Sequence, residues 1–483
     1  MDVYALGFLL LPALWAAGLV GTLGRLDTAW RMARMVASTA CAAAAGQLLT
    51  APNPAVQHVI ALLVAVLGWV IVRYSHRYLA GEPGQIRYLR ALLSTLASVS
   101  VVVVTDNLGV LVAAWFASSL GVHGLLTFYS NRRPALLAAR KKFVVSRLAD
   151  VALLVALALV WRETTTLDIP TLLQFVDAQG ELSSGLQLAA VGFALGAILK
   201  SAQLPLHGWL IQVMEAPTPV SALLHAGVVN LGGFVLIRLA GLISAAPYAQ
   251  ALLVAVGGVT ALAAGLVMAT RISIKVRLAW STCAQMGFLL LECGLGLYGF
   301  AVLHLVAHSL YKAHAFLSAG SAVLATRADI ATPVPTFSAV VLAPLGSAAV
   351  VGGLVAALAS WQPDAVPHWA AVGVFVFGTS PLWWQGFARG LVGVAGVALL
   401  ALGLHGVFGA LAPDVVSSPL LCALGVGLLG ALYALQAWLT VSPGSPAAHW
   451  LHGQAFAGFH LDEPLSRWVL RQWPLATART HVV

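Results

Sequence analysis

Charged side chains are scarce in this sequence. Of its 483 residues, 25 are Lys or Arg and 16 are Asp or Glu, so 8% are charged while 60% are apolar. An ordinary soluble domain has about 25% charged and about 45–50% apolar residues. The shortage of charge excludes a soluble enzyme, a disordered chain and a nucleic-acid-binding protein, despite the net charge of +9.

Cysteine is also rare and shows no metal-binding pattern. Cys41, Cys283, Cys293 and Cys422 are scattered through apolar segments, and none belongs to a CxxC pair, as an iron–sulfur or zinc framework would require. The GLGLYG stretch at 294–299 fits a dinucleotide pattern, but it lies between apolar helices and follows no predicted strand. We therefore expect neither a cofactor nor a metal ion in this chain.

The sequence is instead rich in long apolar runs, of about the 20 residues that a helix needs to cross about 30 Å of hydrocarbon. They predict an all-α polytopic membrane protein with about 15 transmembrane helices. The 186–214 run contains Pro205 and is predicted to be broken. The first run has no basic segment before it, so we interpret it as a mature helix and not as a signal peptide. The predicted helices are 3–23, 35–51, 56–72, 89–105, 107–129, 143–161, 186–214, 218–240, 249–270, 278–298, 300–326, 336–360, 366–387, 390–411 and 417–440.

Basic residues are distributed unevenly between the predicted loops. When the loops are numbered in order, the odd loops and the C-terminal tail hold 21 of the 25 Lys and Arg residues. Loops rich in Lys and Arg stay on the cytoplasmic side. We therefore expect a bacterial inner-membrane protein with its N-terminus outside and its C-terminus inside. The four exceptions are Arg162, Arg238, Lys200 and Lys312.

Lys200 and Lys312 fall inside apolar runs, where a lysine costs at least about 2.5–3.5 kcal/mol on insertion scales. His304, His308 and Lys312 are spaced by four residues, which predicts that they share one helix face. Titratable groups stacked in this way are typical of a proton relay. The alternative is inert groups that are hydrogen-bonded within the bundle. His314 lies off this face, and we interpret it as structural.

Three further observations concern candidate site residues. His225 follows a double-proline break, and broken helices place polar groups near the bilayer midplane. Asp150 either stabilises protonated Lys200 across a helix interface or pairs with Arg147 on its own helix, and the sequence leaves both open. His304 and His308 could ligate a metal, but a relay is the better interpretation because no carboxylate or cysteine accompanies them.

Four segments carry a resemblance to a known family: KSAQLPLHGWL, MEAPTPVSALLHA, SIKVRLAWSTCAQMGFLLL and HLVAHSLYKAHAFLSAGS. They resemble the proton-translocating antiporter-like subunits, which include the large membrane subunits of respiratory complex I and of Mrp sodium/proton antiporters. The resemblance implies two inverted five-helix repeats with broken helices. It also implies relay roles for Lys200, His225, His304, His308 and Lys312, with accessory roles for Asp150 and Lys275. The implied division is 1–88 N-terminal helices, 89–240 first repeat, 249–387 second repeat, 388–440 C-terminal helices and 441–483 cytoplasmic tail.

Two charged positions of that family are missing here. Its fifth helix normally carries a glutamate after a tryptophan, whereas Trp115 is followed by Phe116. Its twelfth helix is normally broken beside a lysine, whereas Gly353 lies near that place and no lysine follows Lys312.

In these departures, and in ending without the family's long lateral helix, the sequence resembles the DabB-type membrane subunits of inorganic-carbon accumulation systems. That similarity implies a proton-conducting subunit that energises CO2 conversion to bicarbonate. It also implies a large soluble β-carbonic-anhydrase-like partner at the cytoplasmic face, and that partner would hold the zinc. The alternatives are a subunit of a complex I-like oxidoreductase or Mrp-type antiporter, and a non-conducting scaffold.

Overall fold

The computed structural model describes residues 3–320, 335–361, 367–412, 414–415 and 417–474, with side chains from residue 9 onward. Helices dominate these ranges, and β pairing in them is limited to an isolated bridge between Asn107 and Asp168. The helices are α1 (Val3–Gly21), α2 (Leu26–Thr50), α3 (Val56–Tyr78), α4 (Gln85–Val104), α5 (Leu108–Leu126), α6 (Arg133–Thr164), α7 (Ile169–Asp177), α8 (Ser184–Lys200), α9 (Gly208–Gln212), α10 (Thr218–Ala226), α11 (Leu231–Arg238), α12 (Ala240–Ser244), α13 (Pro247–Ala269), α14 (Ile274–Gly294), α15 (Tyr298–Leu317), α16 (Phe337–Trp361), α17 (Trp369–Thr379), α18 (Phe387–Gly409), α19 (Pro419–Val441), α20 (Pro446–Phe456) and α21 (Glu463–Gln472).

Nine helical stretches in the described ranges are long and apolar enough to cross a membrane. Seven of them are α3, α4, α5, α6, α13, α16 and α18, and the other two are α19 and the stretch Thr218–Arg238. Each of the fifteen predicted runs overlaps a helix, although the predicted end of the 300–326 run lies outside the described residues. The other helices are shorter or more polar, so the count of fifteen spans stays a prediction.

Several helices begin earlier than the sequence predicted. α2 begins at Leu26 and α6 at Arg133, so basic residues that we expected in loops lie on helices. Lys141 and Lys142, expected in the third loop, are buried on α6. The prediction was wrong because both ammonium groups find partners, Asp462 in the tail and the backbone carbonyl of Ser119. Arg327 and Arg479, also counted in that topology, lie outside the described residues.

Contacts between distant loops separate into two sets, one at each end of the helix bundle. At one end, Asp106 in the α4–α5 loop pairs with Arg238 at the end of α11. At the other, Lys141 near the start of α6 pairs with Asp462 in the tail, and the α13–α14 loop contacts α20. We call the end with the Lys141–Asp462 pair the basic end, and the end with the Asp106–Arg238 pair the opposite end. This separation agrees with helices that alternate in direction.

Glycines set the close helix packing that positions the buried lysines. Gly192 and Gly196 of α8 face α6, and a Cβ at Gly196 would lie 2.5 Å from the Leu153 side chain. Gly257 of α13 and Gly287 of α14 meet backbone to backbone, where a Cβ at Gly257 would lie 2.6 Å from the Gly287 carbonyl oxygen. Small residues of this kind let membrane helices approach closely. The α6–α8 contact brings the end of α8 beside the middle of α6.

Candidate functional site

Lys200 lies at the end of α8, directly before the break in the seventh predicted run. Its Nζ is 2.8 Å from Asp150 Oδ1 on α6 and 5.0 Å from the centre of the Trp115 ring. The other oxygen, Asp150 Oδ2, is 2.7 Å from Arg147. Both partners that the sequence offered for Asp150 are therefore present at once, and the carboxylate bridges two cations.

Lys142 is a buried cation of the same group that sequence reasoning missed. It is 4% exposed, and its Nζ donates a hydrogen bond to the Ser119 carbonyl at 2.9 Å. It also interacts electrostatically with Lys200, Arg147 and Asp150. Lys142 precedes Asp150 by eight residues, which places both on one face of α6, and this spacing was the available signal. We call Lys142, Arg147, Asp150 and Lys200 the first cluster.

The second group lies on α15. His304, His308 and Lys312 share one face, as their spacing predicts, and the rings of His304 and His308 are 5.9 Å apart. Lys312 is fully buried, and its Nζ donates to the Leu278 carbonyl at 3.1 Å. Among the described residues it has no carboxylate within ion-pair distance. We call these three residues the α15 row.

His225 and Asn230, on the neighbouring broken helix, lie beside the α15 row. His225 is fully buried on α10, stacks on Phe316 at 4.4 Å and interacts electrostatically with His308 and Lys312. Asn230 Nδ2 donates to Ser309 Oγ at 2.7 Å.

Several ring nitrogens in this region have no hydrogen-bond partner within the described residues. They are Nδ1 and Nε2 of both His225 and His308, and Nε2 of His304. Buried polar atoms are nearly always hydrogen-bonded. Free imidazole nitrogens in a row are therefore a chemical reason to consider proton exchange.

Glu292 on α14 is a second residue that the sequence did not single out. Its Oε2 lies 2.7 Å from His304 Nδ1, and the residue is 4% exposed. Our statement that no carboxylate accompanies the histidines was therefore wrong. The sequence alone does not show how α14 and α15 are aligned against each other, and this alignment decides which of their side chains meet. Even so, the described part of the chain holds no group of three or more His, Cys, Asp and Glu that could bind a metal.

The remaining predicted residues lie outside these two groups. Lys275 is near the start of α14 at the basic end, and its Nζ donates to Thr218 Oγ1 at 2.9 Å. His314 is exposed, as expected for a residue off the row. Gly353 lies on the exposed side of α16, which is not broken there. Further along the chain, α17 ends at Thr379 and continues as a 3-10 segment over Ser380–Gln385.

The family model described as "NADH:quinone oxidoreductase/Mrp antiporter, TM" matches residues 105–387. The chain is 53% identical over 262 residues to a probable inorganic carbon transporter subunit DabB of Hydrogenovibrio crunogenus, and spans 51% of that protein. It is 40% identical over 451 residues to the probable subunit DabB2 of Halothiobacillus neapolitanus, with 87% of this chain and 80% of that protein covered. It is 38% identical over 267 residues to subunit L of the NADH-quinone oxidoreductase of Mycobacterium tuberculosis, spanning 42% of it.

Two solved structures share the fold. The Mrp complex from Dietzia aligns with 99% of this chain and 58% of the matched chain, at a TM-score of 0.58 and 22% identity. The archaeal membrane-bound sulfane sulfur reductase aligns with 97% of this chain and 99% of the matched chain, at a TM-score of 0.61 and 18% identity. At these identities the likeness concerns the fold. With a family model that matches more than half of its length, this chain belongs to the NADH:quinone oxidoreductase/Mrp antiporter transmembrane family of multi-pass membrane proteins.

Proposed function

We propose that this chain is the proton-conducting, energy-coupling membrane subunit of an inorganic-carbon accumulation complex. The observation that carries the proposal is the α15 row, in which three titratable groups follow one another over about 12 Å of helix. Ionisable residues inside membrane helices are costly and mark ion or proton pathways. The relatives named as inorganic carbon transporter subunits support carbon as the cargo of the complex.

In this proposal Lys200 and Lys312 each hold a proton, and His225, His308 and His304 pass protons between sites. A neutral imidazole accepts a proton at one ring nitrogen and releases one from the other. Asp150, at 2.8 Å, stabilises the charged form of Lys200. Lys275 serves as the accessory group at the basic end, one helical turn before the carbonyl of Leu278 that binds Lys312.

Direction, orientation and partner belong to the same proposal. Protons move inward in this proposal. The distribution of Lys and Arg favours an orientation with the N-terminus outside and the basic end in the cytoplasm of a bacterium. Each proton releases about 2.3 kcal/mol per 100 mV from the electrical term. A large soluble β-carbonic-anhydrase-like subunit docks at this cytoplasmic face and supplies the zinc and the hydration chemistry. The tail supports such docking, because Trp450 and Trp468 are exposed on α20 and α21.

The test separates the proton gradient from respiration. Cells with blocked respiration receive an artificial inward proton gradient, and carbon uptake is measured with and without a protonophore. We expect the gradient to restore uptake and the protonophore to abolish it. Lys312→Met should remove the response at normal protein levels, whereas the matched control Arg277→Gln, at an exposed position of α14, should retain it. Uptake that persists with the protonophore would reject proton coupling and favour a scaffold.

A cation/proton antiporter or complex I-like subunit is the second candidate. It is supported by 38% identity to subunit L of an NADH-quinone oxidoreductase and by the fold shared with the Mrp complex. A sodium gradient distinguishes the candidates in the same cells. Uptake that follows sodium, or sodium-dependent proton release without carbon uptake, would favour the antiporter.

A further inference from the structure

We infer that Glu292 is a proton-binding residue at the opposite end of the α15 row, and that an apolar cavity and the His405–Asp414 pair connect it to that membrane surface. The inference rests on the proposed proton conduction. The relay predicted from the sequence contained neither this carboxylate on α14 nor an access route. The route proposed here runs between helices α14, α15 and α18.

Glu292 completes a line of titratable groups along two adjacent helices. Lys312 lies five residues before the basic end of α15, and Glu292 lies two residues before the opposite end of α14. His308 and His304 lie between them, and His304 Nδ1 is 2.7 Å from Glu292 Oε2. The buried carboxylate is therefore partnered by an imidazole, which can exchange a proton with it, and not by a permanent cation.

A cavity of about 170 Å³ borders Glu292 and His304. Liquid water occupies about 30 Å³ per molecule, so the cavity has room for a few water molecules beside two polar groups. The helices across the cavity contribute only apolar side chains, among them Ala371 and Phe375 of α17 and Ala401 of α18. On its own helix, the titratable neighbour of Glu292 is the buried Cys293. Within the described residues, His304 is thus the only basic group that faces this carboxylate.

Phe300 connects the cavity to a second acid–imidazole pair. Its ring lines the cavity and stacks on His405 at a centroid distance of 4.0 Å. His405 Nε2 is 3.8 Å from Asp414 Oδ2, and Asp414 Oδ1 accepts a hydrogen bond from the Gly299 backbone at 2.8 Å. The side chains of both His405 and Asp414 are 16% exposed. The pair therefore lies between the cavity and the surface of the opposite end.

Two more groups act on Asp414. His368, before α17, interacts electrostatically with its carboxylate, and so does Tyr298 at the start of α15. A Cβ at Gly299 would lie 3.1 Å from His405 Cε1 and 3.0 Å from Gly409 Cα. The glycine therefore allows the beginning of α15 to pack directly against α18, which brings the two acid–imidazole pairs together.

The proton balance of this route closes without another reactant. A proton taken up by the His405–Asp414 pair passes the Phe300 ring, which has to move aside, and reaches the Glu292 carboxylate through water in the cavity. Neutral Glu292 donates that proton to His304 Nδ1 and becomes a carboxylate again. His304 then releases the proton on Nε2 toward His308, and every group returns to its starting charge. Before the next transfer, a turn of the His304 ring or exchange with water returns its remaining proton from Nδ1 to Nε2. The route thus uses a titratable group on α14 in a sequence that has no lysine after Lys312.

The inference is tested with the complete complex in sealed vesicles, with an imposed proton gradient and a pH-sensitive dye inside. Glu292→Gln should lower proton flux roughly 100-fold, at the low end of the contribution of a positioned proton-transfer group. Glu292→Asp should retain part of the flux with a changed pH profile, which a merely structural role would not produce. The matched control is Glu181→Gln, since Glu181 is an exposed acid in the α7–α8 loop of the same end. Ala401→Leu, which fills the cavity and keeps Glu292, should also lower flux.

Two reference variants separate this inference from the proposed function. If the wild type conducts, Lys312→Met does not, and Glu292→Gln conducts fully, then this inference is wrong and proton conduction stands. If the wild type itself conducts no protons, the proposed function and this inference both fail. If Glu292→Gln does not assemble, Ala401→Leu decides the question, because unchanged flux in that variant would overturn the access route.

Discussion

Replacing Asp150 with Asn is expected to destabilise the protein much more than replacing its partner Lys200 with Met. Asp150 is the one carboxylate of the first cluster, and it contacts Lys200 at 2.8 Å and Arg147 at 2.7 Å. At an effective dielectric constant of about 20, a pair at 2.8 Å attracts by about 6 kcal/mol before desolvation is subtracted. Removing one partner of a buried ion pair costs about 3–5 kcal/mol, and we expect this loss for Asp150→Asn.

The Met variant leaves a different cluster. In Lys200→Met the carboxylate keeps Arg147, so no buried charge loses its only counter-ion. We expect a loss of roughly 1 kcal/mol, which is ordinary for a point substitution. In Asp150→Asn, by contrast, both Lys200 and Arg147 lose their counter-ion, and the nearby Lys142 adds repulsion. The double variant, Asp150→Asn with Lys200→Met, should recover much of the stability that Asp150→Asn alone loses, because one of the uncompensated cations is gone.

Thermal unfolding of the purified protein in one detergent checks this order, with proton flux in vesicles as the second readout. Both single variants and the double variant should lose flux, since none has the complete Lys200–Asp150 pair. The order of stability is the critical result. Two results would refute the bridging role assigned to the carboxylate. One is an Asp150→Asn protein that is as stable as the wild type, and the other is a Lys200→Met protein that is less stable than the Asp150→Asn protein.

Three further predictions follow from the described contacts. His308→Ala should impair carbon uptake strongly, whereas the exposed His314→Ala should stay near the wild type, and equal losses at equal protein levels would contradict a one-face row. Asp462→Ala removes the counter-ion 2.6 Å from buried Lys141. Because Asp462 is partly exposed, we expect a cost below the full range, about 2–3 kcal/mol, and faster cleavage of the tail in limited proteolysis; unchanged cleavage would refute this role. The purified chain without partners should contain no stoichiometric zinc in metal analysis, and finding it would overturn the assignment of zinc to the partner.

The sequence predicted well what depends on one helix and poorly what depends on two. His304, His308 and Lys312 could be placed on one face because a helical period fixes their relation. The contact between Asp150 and Lys200 depends on how closely α6 and α8 pack, which Gly192 and Gly196 determine in three dimensions. From the sequence, Asp150 had two possible partners, and only the structure shows that one carboxylate reaches both.

Glu292 was missed for the same reason. It lies near the end of an apolar run, where an acid is easily interpreted as an interfacial residue, and its partner is twelve positions later on the next helix. Lys142 was missed because basic residues before residue 143 were assigned to a loop. Long cationic side chains often extend to the interface from a helix end. Here the Ser119 carbonyl gives the ammonium group a buried partner instead.

The breaks in the helices were predictable only where proline marks them clearly. Pro205 predicted the interruption after Lys200, and the chain is indeed not helical between α8 and α9. In the second half, α16 continues through Pro344, and the interruption follows at Ser380. A proline in a membrane helix can be accommodated by neighbouring groups, so proline position alone does not locate a break.

The missing acid of helix α5 has a physical counterpart in the first cluster. Phe116 occupies the position after Trp115, and the Arg147 guanidinium lies 4.1 Å from the centre of the Phe116 ring. That contact holds Arg147 beside Asp150, 2.7 Å away on the same helix. If Lys200 gives up its proton, as the proposed function requires, the Asp150 carboxylate still has Arg147 next to it and does not become an unpaired buried charge. An acid on α5 with Lys200 as its only partner would not have this protection. In the proposed relay, the Asp150 carboxylate on α6 therefore remains paired with Arg147 while Lys200 changes its charge.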